Sequence, residues 1–191
     1  MGRRPNRRFD MQTRFIKAKR RNMVYAREGI HNCVLILDGL KPTFNVGKIF
    51  RAADAFGVRE IHLVGIDFFD PDPAKGSVRW VPFTQHDDFA SCYAQLSERN
   101  YSFYAMEPGE NSRLDQKSLE KRSAFILGHE EFGFSFKRDE YPLIESVSIP
   151  QWGNVQSLNV SVAASIVLYE YIRQYGGDMV PVMESEEVAL G

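Results

Sequence analysis

Cysteine is nearly missing from this sequence, whose 191 residues hold only Cys33 and Cys92. Two isolated thiols exclude a disulfide-stapled miniprotein and a cysteine-built zinc site. They suit a reducing compartment, so a cytoplasmic location is expected. No secretory signal is expected, because no apolar segment follows the basic N-terminus. The longest stretch without charge, Ser146–Tyr169, contains Pro150, Gln151, Gly153, Asn154, Gln156 and Asn159. So many polar and helix-breaking residues exclude a membrane span. Common catalytic signatures are also missing. No G-x-G-x-x-G follows a strand-like run, and neither H-E-x-x-H nor G-x-S-x-G occurs. Gly47-Lys48 is not a phosphate loop, since Pro42 and Ile49 stand where glycine and a hydroxyl residue are needed. The four histidines (His31, His62, His86, His129) are scattered without ligand spacing, and no metal is expected.

What is present suffices for a core: 43% of residues are apolar and 13% aromatic. The length suits one domain with extensions. A net charge of −1 conceals an asymmetry. Residues 1–30 hold ten Lys/Arg against Asp10 and Glu28, a net +8, which leaves −9 on the rest. A basic arm on an acidic body suggests a polyanion partner. The expected division is a basic arm and helix over 1–30, a folded body over 31–177 and a loose acidic tail over 178–191.

Short apolar runs alternate with helical patterns. Strands are expected at 33–37, 61–64, 80–83, 101–105, 124–127 and 147–149. Helices are expected at 11–28, 46–56, 87–99, 116–121 and 158–175, with a short helical piece near 136–140. In the last long helix Leu158, Val162, Ile166, Tyr169 and Ile172 form one apolar face. This alternation marks an α/β fold with a mostly parallel sheet and helices on both faces. Ligands in such folds sit beyond the carboxyl ends of the strands.

Three strand ends carry unusual polar sequence. The first, Asn45–Gly57, begins at an expected N-cap, Asn45, and carries Arg51 within the helix. The second, Phe125–Ser135, breaks a buried strand into Gly128-His129-Glu130, where bare backbone at Gly128 can meet a ligand. The third, Ile149–Ala163, is an uncharged polar loop entering a helix, with Ser157 as the expected cap. Its missing charge is expected to reflect burial, with Ser, Asn and Gln satisfying buried backbone.

In this order and spacing the three segments resemble the three motifs of the SpoU family of RNA ribose 2′-O-methyltransferases, within the SPOUT class. The resemblance runs from about Val34 to Gln174, and Ser157-Leu158-Asn159-Val160-Ser161-Val162-Ala163 is its most specific part. It implies a C-terminal deep trefoil knot, a homodimer and S-adenosylmethionine as cofactor. It also implies Arg51, Asn45, Ser157, Asn159 and Glu130 as the polar active-site set, with Asn45 and Ser157 orienting Arg51. Cofactor contacts would come from near Met106, Gly128, Ile149 and Leu158. Two positions depart from many relatives: Gln151 replaces the usual methionine, and His129 replaces a small residue or asparagine. The compact layout is similar to tRNA enzymes that methylate a D-loop guanosine ribose. The alternatives are a ribosomal RNA methyltransferase and a silent knotted RNA-binding protein.

Overall fold

The computed structural model describes residues 7–109 and 112–177. The expected acidic tail and the first six residues of the arm lie outside them. The chain runs α1 (Arg7–Tyr25), β1 (His31–Asp38), α2 (Phe44–Ala55), β2 (Val58–Val64), β3 (Phe83–His86), α3 (Phe89–Glu98), β4 (Ser102–Met106), β5 (Ser123–Gly128), β6 (Ile144–Val147) and α4 (Val160–Tyr175). The six strands form one sheet in the order β3-β2-β1-β5-β4-β6. Every pair of these strands is parallel.

The two faces are covered differently. Leu35, Leu37, Ile61 and Phe125 join α2, α4 and Phe15 of α1 in the larger core. Val34, Ile36 and Ile126 meet α3 through Phe89, Cys92 and Leu96. Burying both faces is why the central strands read as unbroken apolar runs. The basic helix α1 is docked onto this body. Phe15 is buried and lies edge-on to Phe69, and Asn22 donates from Nδ2 to the Val78 and Val81 carbonyls at 2.6 and 2.7 Å. Among the described residues no helix is long and apolar enough to cross a membrane.

Several expected elements moved. The strand expected at 80–83 lies at Phe83–His86, because a 3₁₀ turn at Ser77–Arg79 precedes it and leaves Trp80 at the surface under Arg79. The strand expected at 147–149 is Ile144–Val147, the register that β4 imposes. The helix expected at 116–121 is only a 3₁₀ turn at Leu114–Gln116. Side chains of α4 and β4 satisfy the backbone that follows. Gln174 accepts from Leu119 N–H and donates to the Lys117 carbonyl, Tyr175 donates to the Leu119 carbonyl, and Tyr104 accepts from Glu120 N–H.

The apolar face expected on α4 is only partly turned inward: Ile166 and Ile172 pack at the edge of the larger core, and Leu158 is half-buried. The helix buries Val160, Ala164, Val167, Leu168 and Tyr171, and leaves Val162 and Tyr169 exposed. An α-helix with apolar residues on two sides can bury only one against its own sheet.

The histidines are not all scattered. The ring nitrogens His62 Nδ1 and His86 Nε2 lie 2.9 Å apart, and Cys92 approaches both. That separation is a hydrogen bond, whereas two nitrogens on one tetrahedral zinc stand about 3.4 Å apart. Burial holds His86 below its usual value. Burial also pushes both cysteine thiols up to about 12, so neither is a reactive thiolate.

Candidate active site

The three motif segments meet at the carboxyl ends of β1, β5 and β6. Asn45 lies in the first turn of α2, not at its cap, because Thr43 holds that place without a side-chain bond. Its side chain is therefore free to reach across to another loop. Asn45 donates from Nδ2 to Glu130 Oε1 at 2.8 Å. Asn159 donates from Nδ2 to Asn45 Oδ1 at 3.2 Å. One residue from each motif thus forms a continuous chain, Asn159 to Asn45 to Glu130.

Asn159, and not Ser157, caps α4. Its Oδ1 accepts from Ser161 N–H at 2.9 Å and from the Ser161 hydroxyl at 2.6 Å. Both functional groups of this amide are committed, one to the helix and one to Asn45. At Glu130 burial works to raise the carboxyl. The Asn45 amide and backbone N–H groups outweigh it and hold the group below its usual range. Next to it, Lys41 donates from Nζ to Glu131 at 2.7 Å and joins the β1–α2 loop to the second motif.

Arg51 and Ser157 do not join this chain. Arg51 is exposed, with no hydrogen bond or ion pair among the described residues. Six residues along a helix place two side chains about 120° apart and about 9 Å along the axis. Asn45 therefore does not orient Arg51 within one subunit. Arg51 instead shares a helix face with Phe44 and Lys48. Lys48 lies in a groove with Val162, Ser165 and Tyr169 of α4.

Met106, Ile149 and Leu158 line one cavity of about 80 Å³, together with Leu127, Val147 and Ala163. Gly128 does not line it. A Cβ at Gly128 would stand 2.9 Å from Gly133 backbone and 2.8 Å from the Phe134 ring, so the glycine serves the tight 129–133 turn. His129 holds that turn, accepting at Nδ1 from the N–H groups of Glu131 and Phe132.

Glu107 and Gln151 also line the cavity. Sequence reasoning gave Glu107 no role and marked Gln151 only as a departure from the usual methionine. A signal for Glu107 existed, a carboxylate directly after Met106 at the end of β4. Gln151 Oε1 is buried without a hydrogen-bond partner. Apolar walls and one unsatisfied acceptor suit a ligand with a flat ring and an N–H donor, such as an adenosine. The cavity is far smaller than the roughly 300–1,000 Å³ of typical ligand sites. A ligand of that size therefore does not fit the cavity at its present volume.

That loop is not buried as its composition suggested. Trp152 is 84% exposed and Val155 64%. Its lack of charge is not explained by burial within this chain.

The family match settles the relationship, since the SpoU rRNA Methylase family matches residues 32–169. The chain belongs to this family. Two relatives bracket it. A 23S rRNA (guanosine-2′-O-)-methyltransferase of Nitrosomonas europaea is 35% identical over 74% of this chain and 56% of its own. A tRNA (guanosine(18)-2′-O)-methyltransferase of Thermus thermophilus is 32% identical over 86% of each. This SpoU chain thus spans just over half of the first relative and most of the second. Among solved structures, an AdoMet-bound rRNA methyltransferase from Sinorhizobium meliloti superposes with a TM-score of 0.66 at 25% identity, over 80% of this chain and 59% of that one.

Proposed function

We propose that this protein methylates a ribose 2′-hydroxyl of structured RNA, with S-adenosylmethionine as donor and tRNA as the favoured substrate. The observation that carries this reading is the Asn159–Asn45–Glu130 chain, which ties three SpoU motifs together beside the Met106–Ile149–Leu158 cavity. The preference for tRNA is supported by the tRNA relative, which aligns with 86% of this chain against 74% for the ribosomal relative. A cytoplasmic location accords with such a substrate.

S-adenosylmethionine supplies an electrophilic sulfonium methyl. The transfer breaks its S–C bond, forms an O–C bond to the ribose and releases the hydroxyl proton. The chain must then align that hydroxyl and stabilise the developing alkoxide. Arg51 is assigned to phosphate and alkoxide, since a guanidinium stays protonated across the accessible range and is a poor base. Asn45, Glu130 and Asn159 fix the three loops, and Ser157 stands at the cavity mouth.

A homodimer is part of the reading. Val162 and Tyr169 on α4 form an exposed apolar face beside Lys48, one turn before Arg51. A second copy covering this face would bury it and bring its Arg51 toward a site that a single chain leaves incomplete. The knot is a further part. The α4 contacts to residues 117–119 and 121 are those expected if the C-terminal segment is drawn against the β4–β5 connection.

The test is methyl transfer from tritiated S-adenosylmethionine into bulk tRNA and 23S rRNA, with nuclease digestion to 2′-O-methylnucleosides. Label confined to tRNA is expected. Label in rRNA alone would transfer the reading to the ribosome, and label in neither would support a silent RNA-binding protein.

Gln151 gives a separate check on the cofactor site. Its orphaned acceptor costs about 1–3 kcal/mol while unsatisfied. Gln151→Met should raise the melting temperature of the free protein. It should also weaken S-adenosylhomocysteine binding about tenfold by calorimetry, for loss of one buried hydrogen bond. Unchanged affinity would remove Gln151 from the site.

A further inference from the structure

A second cavity of about 740 Å³ opens at the carboxyl ends of β1 and β2, beneath the start of α1. Arg8, Leu40, Phe44, Asp67 and Phe68 are among its walls. None of the motif residues lines it. The Arg8 guanidinium lies over the Phe68 ring, 5.6 Å from its centroid, and Phe44 is 52% exposed.

The charges on its rim are not equivalent. Arg14 is occupied by Asp70 and Asp72. Asp67 is different, because its carboxylate has no partner among the described residues. Its backbone is nevertheless fixed: Gln85 donates from Nε2 to the Ile66 and Asp67 carbonyls at 2.8 and 2.9 Å. Outward along α1, Lys17, Arg20 and Arg21 border a shallow groove and have no acidic partner among the described residues. The feature is therefore an aromatic and apolar cavity with one free acceptor, beside a basic track.

We propose that this cavity receives a guanine base of the substrate RNA, turned out of its stack, while the phosphates follow Lys17, Arg20 and Arg21. The proposal rests on the RNA reading above and adds the base that is read. RNA bases freed from a stack are held between aromatic rings and guanidinium planes, which Phe68, Phe44 and Arg8 provide. An ionised carboxylate only accepts hydrogen bonds. Guanine presents two adjacent donors on its pairing edge, the N1–H and the exocyclic amine, and both match Asp67. Adenine places an unprotonated ring nitrogen at the first of these positions, against the carboxylate.

The position suits the reaction. The 39–44 loop gives Leu40 and Phe44 to the cavity wall. From its other side Lys41 binds Glu131, and Asn45, the residue after Phe44, binds Glu130. A base in the cavity leaves its own or an adjoining ribose one loop's width from the three-motif chain.

The test uses the full-length protein with bulk tRNA containing 6-thioguanosine, cross-linked by near-ultraviolet light, a readout that needs no methyl transfer. Cross-linked peptides should include residues 8–11 or 66–70. Asp67→Asn replaces one acceptor with a donor facing a donor, and should weaken RNA binding tenfold or more, within the range for loss of one paired base contact. Phe68→Leu keeps volume but removes the stacking face, and should weaken it about tenfold. S-adenosylhomocysteine affinity should stay at the wild-type value in both, which separates this loss from misfolding. Cross-links found only elsewhere, or wild-type RNA affinity in both variants, would overturn the proposal. Cross-links at the cavity in a protein that transfers no methyl would leave the base site standing and overturn the enzymatic reading alone.

Discussion

Arg51→Ala is expected to cut methyl transfer about 10²–10³-fold, the usual loss when one preorganised donor to a developing charge is removed. S-adenosylhomocysteine binding and thermal stability should stay at wild-type levels. The stability expectation follows from the exposed position of Arg51, which holds nothing together in the subunit. Single-turnover transfer at saturating cofactor is the measurement that isolates the chemical step. Arg51→Lys distinguishes two roles. Lysine gives up its proton more readily but lacks the planar fork that grips phosphate and ribose oxygens. If Arg51 acts through its fork, lysine will be nearly as poor as alanine, which is the expected result. If it acts as a base, lysine will retain substantial activity that rises with pH. Full activity in Arg51→Ala would sink the site assignment.

Asn159→Asp should separate catalysis from folding. Aspartate is as good a helix N-cap as asparagine, and its charge favours the positive end of α4. The bond from Ser161 N–H to Oδ1 survives. The donor to Asn45 does not, because an oxygen replaces Nδ2. Asn45 then lies between two carboxylates with one amide to share. If it turns its NH₂ to residue 159, its carbonyl faces Glu130, so one link breaks in either orientation. Melting temperature should hold or rise slightly. Methyl transfer should fall about 10²-fold, the scale expected when reacting groups are misplaced by about 1 Å. A variant with intact transfer would show that the three-motif chain is structural only. Loss of both stability and transfer would mean that the cap interpretation is wrong.

Some features were legible in the sequence because they depend on local chemistry. The apolar runs of β1, β2 and β5 read as buried strands, since both faces of the central sheet are covered. Asn45, Glu130 and Asn159 were legible as a set, although their sequence separations of 85 and 114 give no hint of contact. Their motifs and the resemblance identified them. The cavity residues Met106, Ile149 and Leu158 were reached in the same way.

The errors share one cause. Thr43 rather than Asn45 stands at the cap of α2, which leaves Asn45 to bind across the site, and Asn159 rather than Ser157 caps α4 while its amide nitrogen reaches Asn45. The His62–His86 pair was hidden because β2 and β3 bring together residues 24 apart. The cavity beneath α1 was invisible for the same reason, since α1, the 39–44 loop and the 65–70 loop supply it from three separate places.

The sequence by itself determined the strand–helix alternation, the basic first helix and the identity of the motif residues. Pattern, charge and residue type reside in the chain order. Only the tertiary structure decided which side of α4 is buried, because its apolar residues occupy two faces and the sheet accepts one. It also decided that Asn45 meets Glu130 and Asn159 while Arg51 stays exposed. A helix fixes the angle between two positions, but what each side chain meets depends on what packs against it.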